Sequence, residues 1–362
     1  MRRLLSGIPR PRFRVRTLLV LVALSAVALW GAKIVQDGPS TRWQILKFRH
    51  GSPATRREIL DELHTQSVRG WFGGLFGLDN GNHLTGEAKK VEGRRRAALW
   101  IPALFEATED ADPRVRAAAI RTLAMVVYLH GTASEKNAAL QRVIRATADR
   151  DAVIREHAVH SLIDFTMESP TKVLPVLREA LHDPVMPVRR QAVEGLRFVG
   201  IVHDAMRAEM ASELARILGG RDHPEIRAKA AWGLGLFAGD DRNPPGAIVE
   251  AVPSLILALQ DEESEVRRAA AEVLALASSG SDSISRWAAH RTTIVPALMS
   301  AWSDPESAVR HEAALGLFRF GNRDSSTLMT LVAVEIGSDR SQSRRASKSL
   351  EIWRKELAQT LP

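Results

Sequence analysis

The chain has 362 residues, of which 45% are hydrophobic and 5% aromatic, and it contains no cysteine. The absence of cysteine excludes a disulfide framework, a thiolate metal site and a cysteine nucleophile. Few aromatic residues and many Ala, Leu and Arg favour helices over sheets, because alanine and straight-chain residues lose little rotamer freedom in a helix. The composition therefore predicts an all-α protein.

The formal net charge of +8 arises largely at the N-terminus. Residues 1–16 contain no acid and six arginines, Arg2, Arg3, Arg10, Arg12, Arg14 and Arg16. Without these six, basic and acidic residues nearly balance. Binding to nucleic acid by counterion release requires a clustered basic surface. Since the rest of the chain shows none, we predict no nucleic-acid partner.

An apolar segment follows the arginines. Residues 17–35 carry a single charge, Lys33, and as a helix they would be about 28 Å long, close to the roughly 30 Å hydrocarbon thickness of a bilayer. We predict a cytoplasmic tail over 1–16 and one transmembrane helix over 17–35, with the rest of the chain outside the cytoplasm by the positive-inside bias. The alternatives are secretion after signal cleavage near Ala26-Val27-Ala28 and a buried globular helix.

Residues 36–97 combine a linker, a helical segment at 51–63 and a segment rich in glycine and aromatic residues, RGWFGGLFGLDNGNH, at 69–83. The Gly-Gly and Asn-Gly pairs predict a loop over 69–83. Exposed Trp71 and Phe72 in such a loop would contact a partner or the membrane. Alternatively, the segment folds over the open end of the first helical unit and covers its apolar core.

Six units follow over residues 98–320, each built around an arginine that has Val or Ile before it, Ala three residues later and Leu seven residues later. These offsets lie on one face of a helix. The arginines are Arg116, Arg155, Arg189, Arg227, Arg267 and Arg310. Six residues before the arginine stands an aspartate in five units, Asp110, Asp149, Asp183, Asp261 and Asp304, and in the other unit Asp222 stands one place later. We predict that the aspartate caps the following helix.

The spacing of helix, tight turn and helix resembles the HEAT repeat family, in particular its short bacterial and phycobilin-lyase-type forms. The resemblance implies a right-handed α-solenoid, here preceded by the transmembrane helix, with a partial first repeat at 51–63 and a degenerate C-terminal capping repeat at 321–362. In this family the repeated Asp and Arg form a ladder of hydrogen bonds between neighbouring turns, and the second helix lines the concave face. Carried over by position, the ladder consists of the six arginines and the five aspartates in register, without the displaced Asp222.

Catalytic chemistry has little support in the sequence. His311-Glu312 resembles one His-Glu dyad of deoxyhypusine hydroxylase, a HEAT repeat enzyme, but that family uses four dyads to hold two irons and the equivalent positions here carry none. His157 and His160, with Asp164 one turn later, could face a metal on one helix, and this possibility stays open. We predict no catalytic residue, cofactor or metal. The alternative is a lyase-like or hydroxylase-like enzyme or an enzyme-associated module.

The position five residues after the ladder arginine differs in every unit, so the architecture does not dictate it. It is occupied by Arg121, His160, Glu194, Trp232, Glu272 and Leu315. We predict that this row contributes to a concave surface for a protein or peptide partner, with Trp232 as the anchor. The sequence thus favours a membrane-anchored, non-catalytic scaffold, and it leaves the partner and the oligomeric state open.

Overall fold

The computed structural model describes residues 41–76, 86–238, 249–276, 290–321, 343–344, 346–348 and 350–351, which include helices and turns but no strand. The helices are α1 Thr41–His50, α2 Pro53–Phe76, α3 Gly86–Ala107, α4 Pro113–His130, α5 Ala133–Ala146, α6 Ala152–Ser161, α7 Pro170–Ala180, α8 Met186–Val202, α9 Arg207–Leu218, α10 Pro224–Ala238, α11 Val252–Ala258, α12 Ser264–Leu276, α13 Arg291–Ala301 and α14 Ser307–Arg319. Short 3₁₀ helices follow α6 and precede α9.

The helices form pairs, and the pairs stack. The first helix of each pair packs against the second, from α1 with α2 to α13 with α14. Within the described residues, each second helix also packs against the next one, in the order α2, α4, α6, α8, α10, α12 and α14. One continuous apolar core extends from Phe48 to Phe320. This arrangement confirms the predicted all-α repeat solenoid. Its second helices have a solvent-facing side, which we call the second-helix face.

Several helices begin at a capping residue or a proline, at the point where turn residues are followed by a periodic apolar pattern. Thr132 and Glu135 form a capping box at the start of α5, which satisfies two backbone N–H groups reciprocally. Asp112 caps α4 by accepting the backbone N–H of Arg114 at 2.8 Å, and Asp151 caps α6 in the same way. Prolines occupy the first turn of α4, α7 and α8, where no N–H partner is needed.

The predicted helix-capping role of the repeated aspartates is wrong in detail. The Oδ1 atom of Asp110 accepts the N–H of Asp112 at 2.9 Å, two residues along the turn, and Asp112 is the residue that caps the helix. A carboxylate that bonds the backbone two residues later stabilises a turn. The repeated aspartate therefore shapes the turn between the paired helices and does not close the helix end.

The predicted loop over 69–83 is also wrong for its first half, because α2 continues to Phe76. Trp71 and Phe72 lie on this helix, and residues 77–85 lie outside the described residues. A glycine inside a helix costs about 1 kcal/mol relative to alanine. Two adjacent glycines weaken a helix, but they do not end one that has already been nucleated several turns earlier.

The predicted transmembrane segment, 17–35, lies outside the described residues. Among the residues that the structure does describe, no helix combines the length and the apolar character needed to cross a membrane.

Candidate functional site

Arginines and aspartates link the turns of successive units. Arg155 donates from Nε to Asp183 Oδ2 at 2.7 Å and from Nη2 to Asp183 Oδ1 at 3.0 Å. Arg227 binds Asp261 with the same two nitrogens, and Arg267 does so with Asp304. In the first unit the link is longer, with 3.9 Å between Arg116 Nε and Asp149 Oδ2.

The same arginines also hold the turn of their own unit. Arg155 Nη1 donates to the main-chain oxygen of Asp149 at 3.0 Å, and Arg310 Nη1 donates to that of Asp304 at 2.7 Å. The hydrogen bonds from Arg155 hold the pKa of Asp183 below its ordinary value. The guanidiniums of Arg116, Arg155, Arg189, Arg227 and Arg267 therefore have structural partners in two consecutive turns, which explains why the residue recurs from unit to unit.

Two members of this ladder were not assigned from the sequence. Asp222 accepts from Arg189 Nε at 3.0 Å and from Nη2 at 2.8 Å, although it stands one position later in its turn than the other aspartates do. Arg56 on α2 extends the ladder toward the N-terminus, with 3.0 Å between its Nε and Asp110 Oδ2. Of the three apolar positions that mark a unit, only the leucine seven residues after the arginine is present here, as Leu63. Thr55 stands in place of Val or Ile before the arginine, and Ile59 stands in place of Ala three residues after it.

Side chains of the predicted partner row meet neighbouring helices on the second-helix face. Arg121 Nη2 donates to Asp61 Oδ1 on α2 at 2.5 Å. The Nδ1 atom of the exposed His160 lies 3.2 Å from Gln191 Oε1 on α8. Glu194 accepts from Lys229 on α10 at 3.2 Å. These three positions therefore carry polar links between consecutive second helices.

The row continues with an aromatic residue. Trp232 on α10 is partly buried against the core, and the guanidinium carbon of Arg268 lies 5.4 Å from the centre of its ring. This distance is within the range of a cation–π interaction. Glu272 lies one turn after Arg268, with 3.7 Å between its Oε2 atom and Arg268 Nη1. Trp232, Arg268 and Glu272 form one patch, which we call the Trp232 patch.

Leu315, at the C-terminal end of the same row, is fully buried. It belongs to an apolar cluster with Ala275, Ala314, Phe318 and Leu350. Because Leu350 packs into this cluster, the chain after α14 covers this side of the helix. Leu315 is therefore not accessible to a partner, and its place in the proposed binding row is corrected.

Sequence reasoning missed a second line of charges on the same face. Arg190 on α8 donates to Glu156 on α6 at 3.2 Å and to Glu225 on α10 at 3.1 Å. Glu156 and Arg190 each follow a ladder arginine directly, and the signal for this pair is that consecutive units carry opposite charges at that position. The middle of the second-helix face therefore carries charges of both signs that are largely paired with each other.

A groove of about 440 Å³ opens at the N-terminal end of this face. Its lining includes Asp61, Arg121 and His157. Burial, and then the charge of Arg121, lower the pKa of His157. The same two causes lower the pKa of His64 on α2 to about 4. These imidazoles are neutral at pH 7.

His157 and His160 do not form a metal site with Asp164. Within the described residues, no three His, Asp or Glu side chains are grouped so that they could hold a metal ion. His157, His160 and Asp164 are therefore not brought together as ligands. His311 on α14 is partly buried and Glu312 is buried.

Asp164 gives a pH-dependent prediction. Burial raises its pKa to about 7, compared with 3.8 in the unfolded chain, so its ionisation destabilises the fold increasingly as the pH rises from 4 to 7. We expect Asp164→Asn to be more stable than the wild type at pH 8 by roughly 1–3 kcal/mol and to lose this advantage near pH 4, as measured by urea unfolding. Glu179→Gln, an exposed position on α7, makes the same charge change and should have no such effect. Equal stability of Asp164→Asn and wild type at pH 8 would contradict the raised pKa of Asp164.

Comparisons with known proteins agree with this architecture. The family model of HEAT repeats matches residues 101–197 and 211–286, a little under half of the chain. No curated protein sequence matches the chain.

Among solved structures, Kap121p is 14% identical, with a TM-score of 0.59 over 85% of this chain and 33% of its own. A mutant of Kap121p has a TM-score of 0.61 with the same identity and coverage. The chain thus spans about a third of Kap121p, and the likeness shows the solenoid fold alone. A designed armadillo repeat protein in complex with the peptide (KR)4 is 18% identical, with a TM-score of 0.45 over 61% of this chain and 99% of its own.

Proposed function

We propose that residues 98–320 are six HEAT repeats of a right-handed solenoid, and that this solenoid is a scaffold whose second-helix face is concave and binds a protein or peptide partner. One observation carries this proposal. The turns repeat the same Arg and Asp pairs in nearly every unit, whereas the row five residues later changes in each unit. The ladder is constrained by the structure, whereas the accessible part of the varied row, from Arg121 to Glu272, can determine which partner binds.

The chemistry of the Trp232 patch suits recognition. Trp and Arg dominate the binding energy of many interfaces, because they combine a large apolar area with directional polar groups. The surrounding ion pairs keep part of their side chains in water, with about a quarter of the Glu194 and Lys229 side chains exposed. Such pairs contribute little to folding, so a partner can exchange them at small cost.

We propose no catalytic activity for this scaffold. The arginines and aspartates of the ladder are the most regularly repeated charged residues. Their structural partners explain why they recur, so no catalytic role is required. Iron or a pigment that copurifies with the protein would instead favour the hydroxylase-like or lyase-like alternative.

The Trp232 patch gives the test of partner binding. We expect the double variant Trp232→Ala, Glu194→Ala to capture at least about tenfold less of a partner that the wild type retains, because removal of one interface anchor costs about 2 kcal/mol. The matched control is Leu257→Ala, at an exposed position on α11, in the layer of first helices. Melting curves must show that both variants are folded. Equal capture by the double variant and the wild type would exclude Trp232 and Glu194 as parts of the binding site.

We also propose that residues 17–35 anchor the chain in a membrane, with the N-terminus cytoplasmic and the solenoid outside. The support comes from the sequence, namely the length of the apolar segment and the arginines before it. We expect full-length protein to remain in the membrane pellet after alkaline carbonate extraction. Release of full-length protein would contradict the anchor, and a shortened species on an immunoblot would show that the segment is cleaved as a signal.

A further inference from the structure

The first helix of the structure, α1, has two different sides. Phe48 is buried and its ring meets Trp100 edge to face, with 5.9 Å between the ring centres. This contact fixes α1 on the first unit. Away from that contact, Trp43 is 58% exposed and Leu46 is 47% exposed. Two large apolar side chains therefore remain about half exposed on a helix that is held in place.

Cations border this apolar pair. At about 100° per residue, Trp43 and Leu46 lie near the middle of the exposed side, with Arg42 on one flank and Lys47 on the other. Trp43, Leu46 and Lys47 line one shallow groove together, which supports this placement. The helix contains no acidic residue. Arg49, also on the exposed side, donates to Glu106 on α3 at 2.9 Å and so helps to orient α1.

This pattern is characteristic of helices that lie at a bilayer surface. Such helices insert apolar side chains at the boundary between headgroups and acyl chains, while flanking Lys and Arg contact anionic headgroups. Tryptophan favours this interface because its ring is amphipathic. A binding site for a nucleic acid would not require the exposed Trp43 and Leu46 between the cations.

The position of α1 in the chain points to the same surface. Five residues, 36–40, separate the proposed transmembrane segment from Thr41, and fully extended they span at most about 18 Å. If residues 17–35 cross the bilayer, α1 is held within reach of the headgroups. The nearness of α1 to the headgroups depends on the proposed anchor, whereas the exposure and charge of α1 do not.

We propose that α1 lies on an anionic lipid surface, with Trp43 and Leu46 inserted and with Arg42 and Lys47 on headgroup phosphates. The first unit of the solenoid is then fixed against the bilayer, which sets the direction in which the repeats project from it.

Because the chain contains no native cysteine, a single introduced cysteine carries the only spin label. The full chain with Leu46→Cys is labelled and reconstituted in vesicles of phosphatidylcholine with phosphatidylglycerol, and collision of the label with oxygen and with a water-soluble nickel complex is measured. We expect the ratio of the collision rate with oxygen to the collision rate with nickel to be several fold higher for the label at Leu46 than for one at a Leu257→Cys control. Leu257 is exposed on α11, so a label there should meet the water-soluble nickel complex. We also expect the ratio to fall in pure phosphatidylcholine and in the Arg42→Gln, Lys47→Gln variant.

The other outcomes each contradict the proposal in a distinguishable way. If the protein floats with the vesicles but the Leu46 label is as accessible to nickel as the Leu257 label, the anchor stands and the docking of α1 is wrong. If spin–spin broadening appears at Leu46, a second copy of the chain occupies this side of α1 instead of lipid. If the protein does not float with the vesicles, both the anchor and the docking are wrong.

Discussion

Replacing Leu274 with alanine is expected to lower the free energy of unfolding by about 2–5 kcal/mol. Leu274 lies on α12 and is fully buried in the continuous core. Helix α12 packs between α10 and α14, so a cavity at this position weakens the contacts that hold two neighbouring units together. Urea unfolding followed by circular dichroism measures the change.

The matched control for this prediction is Leu257→Ala on α11, which removes the same atoms from a side chain that is 68% exposed. Its effect should stay within about 0.5 kcal/mol, as for most surface substitutions. If Leu274→Ala were as stable as Leu257→Ala, the assignment of the core face of the second helices would be wrong.

A valine at Gly200 is expected to destabilise the protein by about 3 kcal/mol, since overpacking a well-filled core forces side chains and backbone to shift. Gly200 lies on α8, and a Cβ atom added there would lie 2.3 Å from Cζ of Phe237 on α10. Phe237 is fully buried, so its ring has no free space to move into. Glycine is therefore required at this close approach of two second helices.

Gly219→Val is the control for the Gly200 substitution, because a Cβ atom at Gly219 has only one near neighbour, the main-chain oxygen of Ala215 at 3.6 Å. Thermal unfolding of both variants gives the comparison. Partial recovery of stability when Phe237→Leu is combined with Gly200→Val would show that the ring causes the effect. Equal melting temperatures for Gly200→Val and Gly219→Val would contradict the packing of α8 on α10.

The core of the solenoid follows from local sequence patterns. In each unit the residue before the arginine, and those three and seven positions later, are buried, as shown by Ile226, Ala230 and Leu234 on α10. These offsets repeat along the chain and lie on one side of a helix. For this reason the sequence alone predicts the helix pairs and their stacking.

Features that depend on the geometry of neighbouring units could not be predicted. The bond between Arg189 and Asp222 depends on where an aspartate displaced by one position within its turn places its carboxylate. Arg121 and Asp61 are 60 positions apart, and their contact requires the relative rotation of α4 and α2. The burial of Leu315 depends on Leu350, which comes from beyond the last clear repeat. None of these contacts produces a periodic signal in the sequence.

Site-specific photo-crosslinking in intact cells tests whether the second-helix face binds the partner. A photoreactive amino acid is placed at Glu272 on α12, which leaves Trp232 in place, or, in a separate protein, at Leu257 on α11, which belongs to the layer of first helices and is exposed. We expect one discrete crosslinked partner from position 272 and none of that partner from position 257. Crosslinking of the same partner from position 257 but not from position 272 would show that the partner binds the first helices instead.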